Sequence, residues 1–121
     1  MEFKEVEFKD AVPVDGYGPG FFRIAGDVFE GALILTAQGV KPWGGLEDAE
    51  ALVALKNDVD FLLIGMGDAI APIPDLLEQA LVGAGLGGEP MATDAACRTF
   101  NVLASEGRRV GVALIPMGGA K

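Results

Sequence analysis

Apolar and polar residues alternate in "FKEVEF", residues 3–8, as they do along a half-buried strand. Residues 15–36, "DGYGPGFFRIAGDVFEGALILT", predict hairpin-rich β structure with turn points at Gly26-Asp27 and Glu30-Gly31. The stretch ends in "GALILT", a continuous apolar run that suits a more buried strand. "TAQGVKPWGG" reads as a loop, because Pro42 and two adjacent glycines interrupt both helix and ladder. In "LEDAEALVALKND", Leu46, Ala49, Leu52, Val53 and Leu55 recur at near-helical spacing and predict a short amphipathic helix over 46–56. "VDFLLIG", residues 59–65, is the clearest buried strand.

A second helix follows the loop "GMGDAIAP", with Pro74 expected as its first residue, N1, and the glycines from Gly83 ending it. "GGEPMAT" is expected as a strand or extended segment. The longest helix is expected over 93–106, with Thr93 or Asp94 as N-cap and Gly107 as its stop. "RRVGVALIP" supplies a last buried strand. Hairpins followed by α-β-α-β-α-β predict one α/β domain over residues 1–121, with a mixed central β-sheet, N-terminal antiparallel hairpins and two to three helices. The ends, 1–4 and 117–121, are expected to fray.

Composition narrows the chemistry more than the fold. The chain of 121 residues is 50% apolar, enough for a core without disulfides or metal. Its net charge of −9 would repel a phosphate backbone, so nucleic acid is not expected as a partner. Histidine is absent, which removes His-based general bases, Ser-His-Asp and Cys-His catalysis, and His metal sites. The single cysteine allows neither an internal disulfide nor a thiolate cluster. No metal, cofactor or complete catalytic set is therefore expected. "MEFKEVEFKD" has no basic leader or apolar h-region, and the longest apolar runs are too short to span a bilayer. The expectation is a cytoplasmic protein without direct membrane insertion.

Three places could carry function. "IGMGDAI" follows a buried strand and precedes a helix, where open α/β sheets place ligands. It lacks the third glycine of a dinucleotide fingerprint, since Ile70 stands there, and it has no P-loop lysine. On the helix at 93–106, Asp94, Arg98 and Asn101 share one side. They form either a solvated face or a polar patch where Arg98 and Asn101 grip an anion or a partner's backbone. Cys97 borders the apolar stripe of Ala96, Phe100 and Leu103 and is expected to be core rather than nucleophile. Trp43, in "KPWGG", either caps the core or anchors a partner. Arg108-Arg109 suits a helix C-terminus.

"DGYGPGFFRIAGDVFEGALIL", "GVKPWGG", "DFLLIGMGD" and "MATDAACRTFNVLASEGRRVGVALIP" together resemble the small Mth-domain family. That family includes mitochondrial complex I assembly factor 3 and the adipogenesis-associated Mth-domain protein. The resemblance runs from about residue 5 to residue 116. It implies a three-layer α/β fold around a mixed sheet, no established catalytic activity, and contacts with other assembly factors and subunits. Gly18, Trp43, Gly65, Gly67, Thr93, Ala96, Arg98, Thr99, Asn101, Glu106 and Arg108 match the family's recurrent positions. Met66 departs from it, standing where relatives commonly carry a small polar residue. Without a mitochondrial presequence the chain looks like a bacterial member.

Two functions are expected from this. One is a non-enzymatic protein-binding or assembly module, its partners respiratory or membrane-protein assembly components. The other is a binder of small anionic metabolites, with a pocket at the Gly65–Gly67 loop and Arg98. Trp43, Gly65, Gly67, Arg98 and Asn101 are the candidate site residues for either. Edge strands in the hairpins near 15–36 would also allow a homo-oligomer.

Overall fold

The computed structural model describes residues 6–7 and 11–118, and only the backbone of Val6 and Glu7. Its core is set by one run after another of alternating inward side chains. Strands β1 (Val6–Glu7), β5 (Leu33–Thr36), β6 (Gly39–Pro42), β7 (Phe61–Gly65), β8 (Gly87–Met91) and β9 (Val110–Leu114) form a six-stranded sheet in the order β1-β6-β5-β9-β7-β8. The β1-β6-β5-β9 half is antiparallel; β9-β7-β8 is parallel. Strands β2 (Val14–Gly18), β3 (Phe21–Ile24) and β4 (Asp27–Glu30) form a separate antiparallel sheet, the expected hairpins.

The large sheet is buried on both faces, and the period of two divides its residues between two cores. Leu33, Leu35, Leu63, Val110, Val112 and Leu114 join Phe22, Ile24 and Phe29 of the small sheet and Ala96, Cys97 and Phe100. Ile34, Leu62, Ile64 and Ala113 join Trp43, Leu52, Leu77 and Leu81 on the other face. Helix α3 (Thr93–Ser105) and the small sheet therefore cover one face, and α1 (Ala49–Val53) and α2 (Asp75–Gly83) the other. This is the mixed α/β domain that the sequence predicts, in the three layers that the family resemblance implies.

Three local expectations change. "TAQGVKPWGG" is not all loop: residues 39–42 form β6, joined to β5 by a turn at Ala37-Gln38. Pro42 is tolerated because it ends the strand opposite Leu33, between the hydrogen-bonded pairs of an antiparallel ladder. Trp43 continues the pairing, its N–H donating to the Ala32 carbonyl at 3.1 Å. Helix α1 is shorter than the predicted 46–56, because Asp48 caps it by accepting the Ala51 N–H and successive turns replace the helix after Ala54. Pro74 is the N-cap of α2 rather than its first residue. Of the predicted 3–8 strand, only Val6–Glu7 lies among the described residues, paired with Val40 and Gly39.

The last helix ends as predicted. The Gly107 N–H donates to Ala104 and the Arg108 N–H to Leu103, with Gly107 at φ +80°, a Schellman stop. Beyond β9 the chain stays attached. The Met117 carbonyl accepts the Gly20 N–H at 2.9 Å, and the Gly118 N–H donates to Asp68 Oδ1 at 2.8 Å. The chain is thus bound to the body as far as Gly118, and residues 119–121 lie outside the described residues.

Candidate functional site

The connections β7-α2-β8 and β8-α3-β9 leave the sheet to opposite faces, so the neighbouring ends of β7 and β8 form a topological switch point. Open α/β sheets hold ligands in such a crevice. Here the crevice is filled by the chain itself. The Met66 N–H donates to the Met91 carbonyl at 2.8 Å, and the Thr93 N–H to the Gly67 carbonyl at 2.8 Å. The Thr93 hydroxyl accepts the Gly67 N–H at 2.8 Å and donates to the Ile115 carbonyl at 2.7 Å. The Ile115 N–H in turn donates to the Gly65 carbonyl at 3.0 Å.

The two glycines are required by that closure. A Cβ on Gly65 would stand 2.8 Å from Thr93 Oγ1, 2.9 Å from Leu114 Cδ2 and 3.0 Å from the Thr93 Cα, so α3 could not seat. Gly67 has φ +105°, where other residues are strained. Thr93, expected as an N-cap, is instead the first helical residue after the N-cap Ala92 and is fully buried. Its hydroxyl serves the switch point, not the helix end. The sequence signal for this was the pairing of a Gly-x-Gly after one strand with a threonine after the next.

Asn101 is also turned inward. The Val14 N–H donates to its Oδ1 at 2.8 Å, and its Nδ2 donates to the Val14 carbonyl at 3.0 Å. The side-chain amide acts as one rung of a ladder, holding the edge strand β2 against α3. The backbone it grips belongs to its own chain, at the Val14 end of the edge strand β2. Trp43 is 5% exposed and lies in the core beside Leu52, with its Nε1 donating to the Asp48 carbonyl at 3.0 Å. Of the two readings of the loop tryptophan, it is the one that caps the core.

Arg98 remains outside. Its Nη1 lies 3.7 Å from Asp94 Oδ2 and 3.5 Å from the Tyr17 hydroxyl, with 64% of its side chain exposed. At such exposure the ion pair contributes only a few tenths of a kcal/mol, so the guanidinium is not locked. Its bonds run to β2 and to its own helix, while those of the Gly65–Gly67 loop run to Met91, Thr93 and Ile115. The structure brings the loop and the start of α3 together through Thr93, while the hydrogen bond and ion pair of Arg98 run to Tyr17 and Asp94. Tyr17, the only tyrosine, was missed; its position between two glycines in "DGYGPG" was the available signal.

Cys97 is buried, and burial, followed by the nearby Asp94 carboxylate, pushes its thiol up to about 12 against the opposing effect of Arg98. It is core, as expected. Arg108 stacks over the Phe61 ring at 5.7 Å. Arg109 pairs with Asp60 at 3.4 Å and donates to the Asn57 carbonyl at 3.0 Å. Both arginines tie the end of α3 to the entry of β7. No helix among the described residues is long and apolar enough to cross a membrane.

Comparison with known proteins places this architecture in company. Over 120 residues the chain is 54% identical to an uncharacterised protein of Rhodobacter capsulatus, covering 99% of this chain and 97% of that one. It is 32% identical over 117 residues to NADH dehydrogenase [ubiquinone] 1 alpha subcomplex assembly factor 3 of Mus musculus. That match covers 91% of this chain but only 63% of the mouse protein. Among solved structures, a Bartonella henselae protein described as an outer membrane protein superposes with a TM-score of 0.81 at 32% identity, covering 91% of this chain and 98% of that one. A Mth938-like domain from Bordetella pertussis superposes with a TM-score of 0.75 at 26% identity, covering 100% and 95%. The family model for the protein of unknown function DUF498/DUF598 matches residues 14–115, from the Val14 clasp to the Ile115 carbonyl that closes the switch point, and the chain belongs to that family.

Proposed function

We propose that this chain is a cytoplasmic, non-enzymatic protein-binding module of assembly-factor type. Its partners would be respiratory or membrane-protein assembly components. The observation that carries the reading is the division among the five candidate residues. Trp43, Gly65, Gly67 and Asn101 are committed to the chain's own packing and hydrogen bonds, whereas Arg98 stands at an open surface beside Tyr17. An exposed arginine whose guanidinium reaches a half-exposed tyrosine suits a protein contact better than the enclosure of a small ligand. The likeness to assembly factor 3 supports the choice of partner class.

A small anionic metabolite held by the Gly65–Gly67 loop and Arg98 is the less supported reading, since the loop's polar groups are taken by Met91, Thr93 and Ile115. The test is native capture of the tagged full chain from its own cells, quantified by mass spectrometry. Respiratory complex I subunits or assembly components should enrich with the wild type and fall with Arg98→Glu. No enrichment over the Arg98→Glu control overturns the proposal. A thermal-shift response to phosphates or carboxylates that Arg98→Ala removes would favour the metabolite instead.

A further inference from the structure

Helix α2 leaves apolar side chains outside the fold. At about 100° per residue, Leu77 and Leu81 form its inward stripe, and Gln79 points the opposite way with Leu76 and Val82 about 60° to either side. Leu76 is 81% exposed and Val82 68%. An open groove beside them is lined by Asp75, Glu78, Gln79, Val82 and Gly83. One exposed leucine is ordinary on a protein surface. Two large aliphatic groups stand on the outward face of a nine-residue helix, and Asp75 and Glu78 lie on its Val82 side, so the face has both an apolar and an electrostatic character.

The charged residues of the helix itself have one sign: α2 carries Asp75 and Glu78 and no lysine or arginine. Asp75 and Glu78 are exposed on α2 itself. A second copy of this chain would bring the same carboxylates together on a molecule of net charge −9, and an anionic lipid surface would be repelled in the same way. The neighbouring edge of the sheet offers little alternative. The Met91 carbonyl faces β7, so Pro90 faces outward from β8 and has no N–H for a further strand.

We propose that the outer face of α2 docks a basic amphipathic helix of a partner protein. Its aliphatic side chains would lie against Leu76 and Val82, and its lysines or arginines against Asp75 and Glu78. This face lies across the central sheet from Arg98. The inference therefore extends the protein-binding reading to a second surface and does not use the first.

The experiment is a titration of the isotope-labelled full chain, followed by amide NMR shifts. The probe is an 18-residue peptide of leucine and lysine in amphipathic helical order, with a scrambled peptide of the same composition and a leucine–glutamate peptide as controls. Shifts are expected to centre on residues 75–83. Binding should weaken at least about tenfold with the scrambled peptide, with L76S/V82S and with D75K/E78K. Equal binding of the scrambled peptide, shifts centred elsewhere, or no binding at millimolar peptide overturns the proposal. So does binding of the leucine–glutamate peptide, of anionic vesicles, or of a second copy in sedimentation, if L76S/V82S abolishes it. Native capture separates the two readings. Partners lost with Arg98→Glu but kept with L76S/V82S leave the protein-binding module standing and remove the α2 site. Peptide binding at α2 without native capture does the reverse.

Discussion

Helices α3 and α2 pack on opposite faces of one sheet, and they use their polar residues in opposite ways. On α3, Thr93 and Asn101 turn back into the fold and bind backbone, and the small sheet packs beside the helix. On α2, Leu77 and Leu81 meet the core while Asp75, Leu76, Glu78 and Val82 stand exposed. The difference is one of supply. The extra sheet β2-β3-β4 gives α3 an edge to hold, and among the described residues no such sheet packs beside α2. A candidate polar cluster on a helix can therefore be a fastener, and a bland short helix can carry the free surface.

The contrast can be broken most sharply at Thr93. Thr93→Val keeps the shape but leaves the Gly67 N–H and the Ile115 carbonyl without their partner. We expect a loss of about 3 kcal/mol, seen as a Tm lower by roughly 10 °C. A loss below about 1 kcal/mol would mean that water already reaches the switch point. Asn101→Ala comes next, at about 2 kcal/mol in chemical denaturation, because both Val14 groups lose their rung.

Cys97 gives a pH-dependent version of the same claim. With the folded thiol at about 12 against an ordinary value of 9.0, its contribution is fully present below pH 9 and is lost between pH 9 and about 12. The unfolded thiol ionises in that window and the buried one does not. Thermal melts of Cys97→Ala should therefore fall less steeply than those of the wild type above pH 9, and native alkylation of Cys97 should be slow. The smallest effect is expected on α2, where L76S/V82S should change stability by no more than about 0.5 kcal/mol. Equal costs for the α2 and α3 substitutions would erase the distinction between fastener and free surface.

Most of the fold was legible because burial writes itself as periodicity. "FLLIG" and "GVALI" read as buried strands, and the cysteine's place beside an apolar stripe read as core. Strand β6 was hidden because a proline and glycines suppress strand propensity, while the ladder geometry that tolerates Pro42 belongs to its partner β5. The site was only half legible. Sequence placed Gly65 and Gly67 at a strand end and Arg98 and Asn101 on one helix side, but hydrogen-bond partners are tertiary facts. Asn101 meets Val14, 87 positions away, and no local pattern states that. Thr93 could have capped its helix, and what decided otherwise was the Gly67 N–H and the Ile115 carbonyl lying within reach.

Amide hydrogen exchange at Gly67 and Thr93 tests the central claim most directly, since both N–H groups are spent inside the switch point. The account predicts protection close to that of the β7 and β9 amides, exchanging only with global unfolding and unchanged by added phosphates or carboxylates. Rapid exchange at these two amides in the free protein, slowed by such an anion, would contradict it and reopen the crevice as a ligand site.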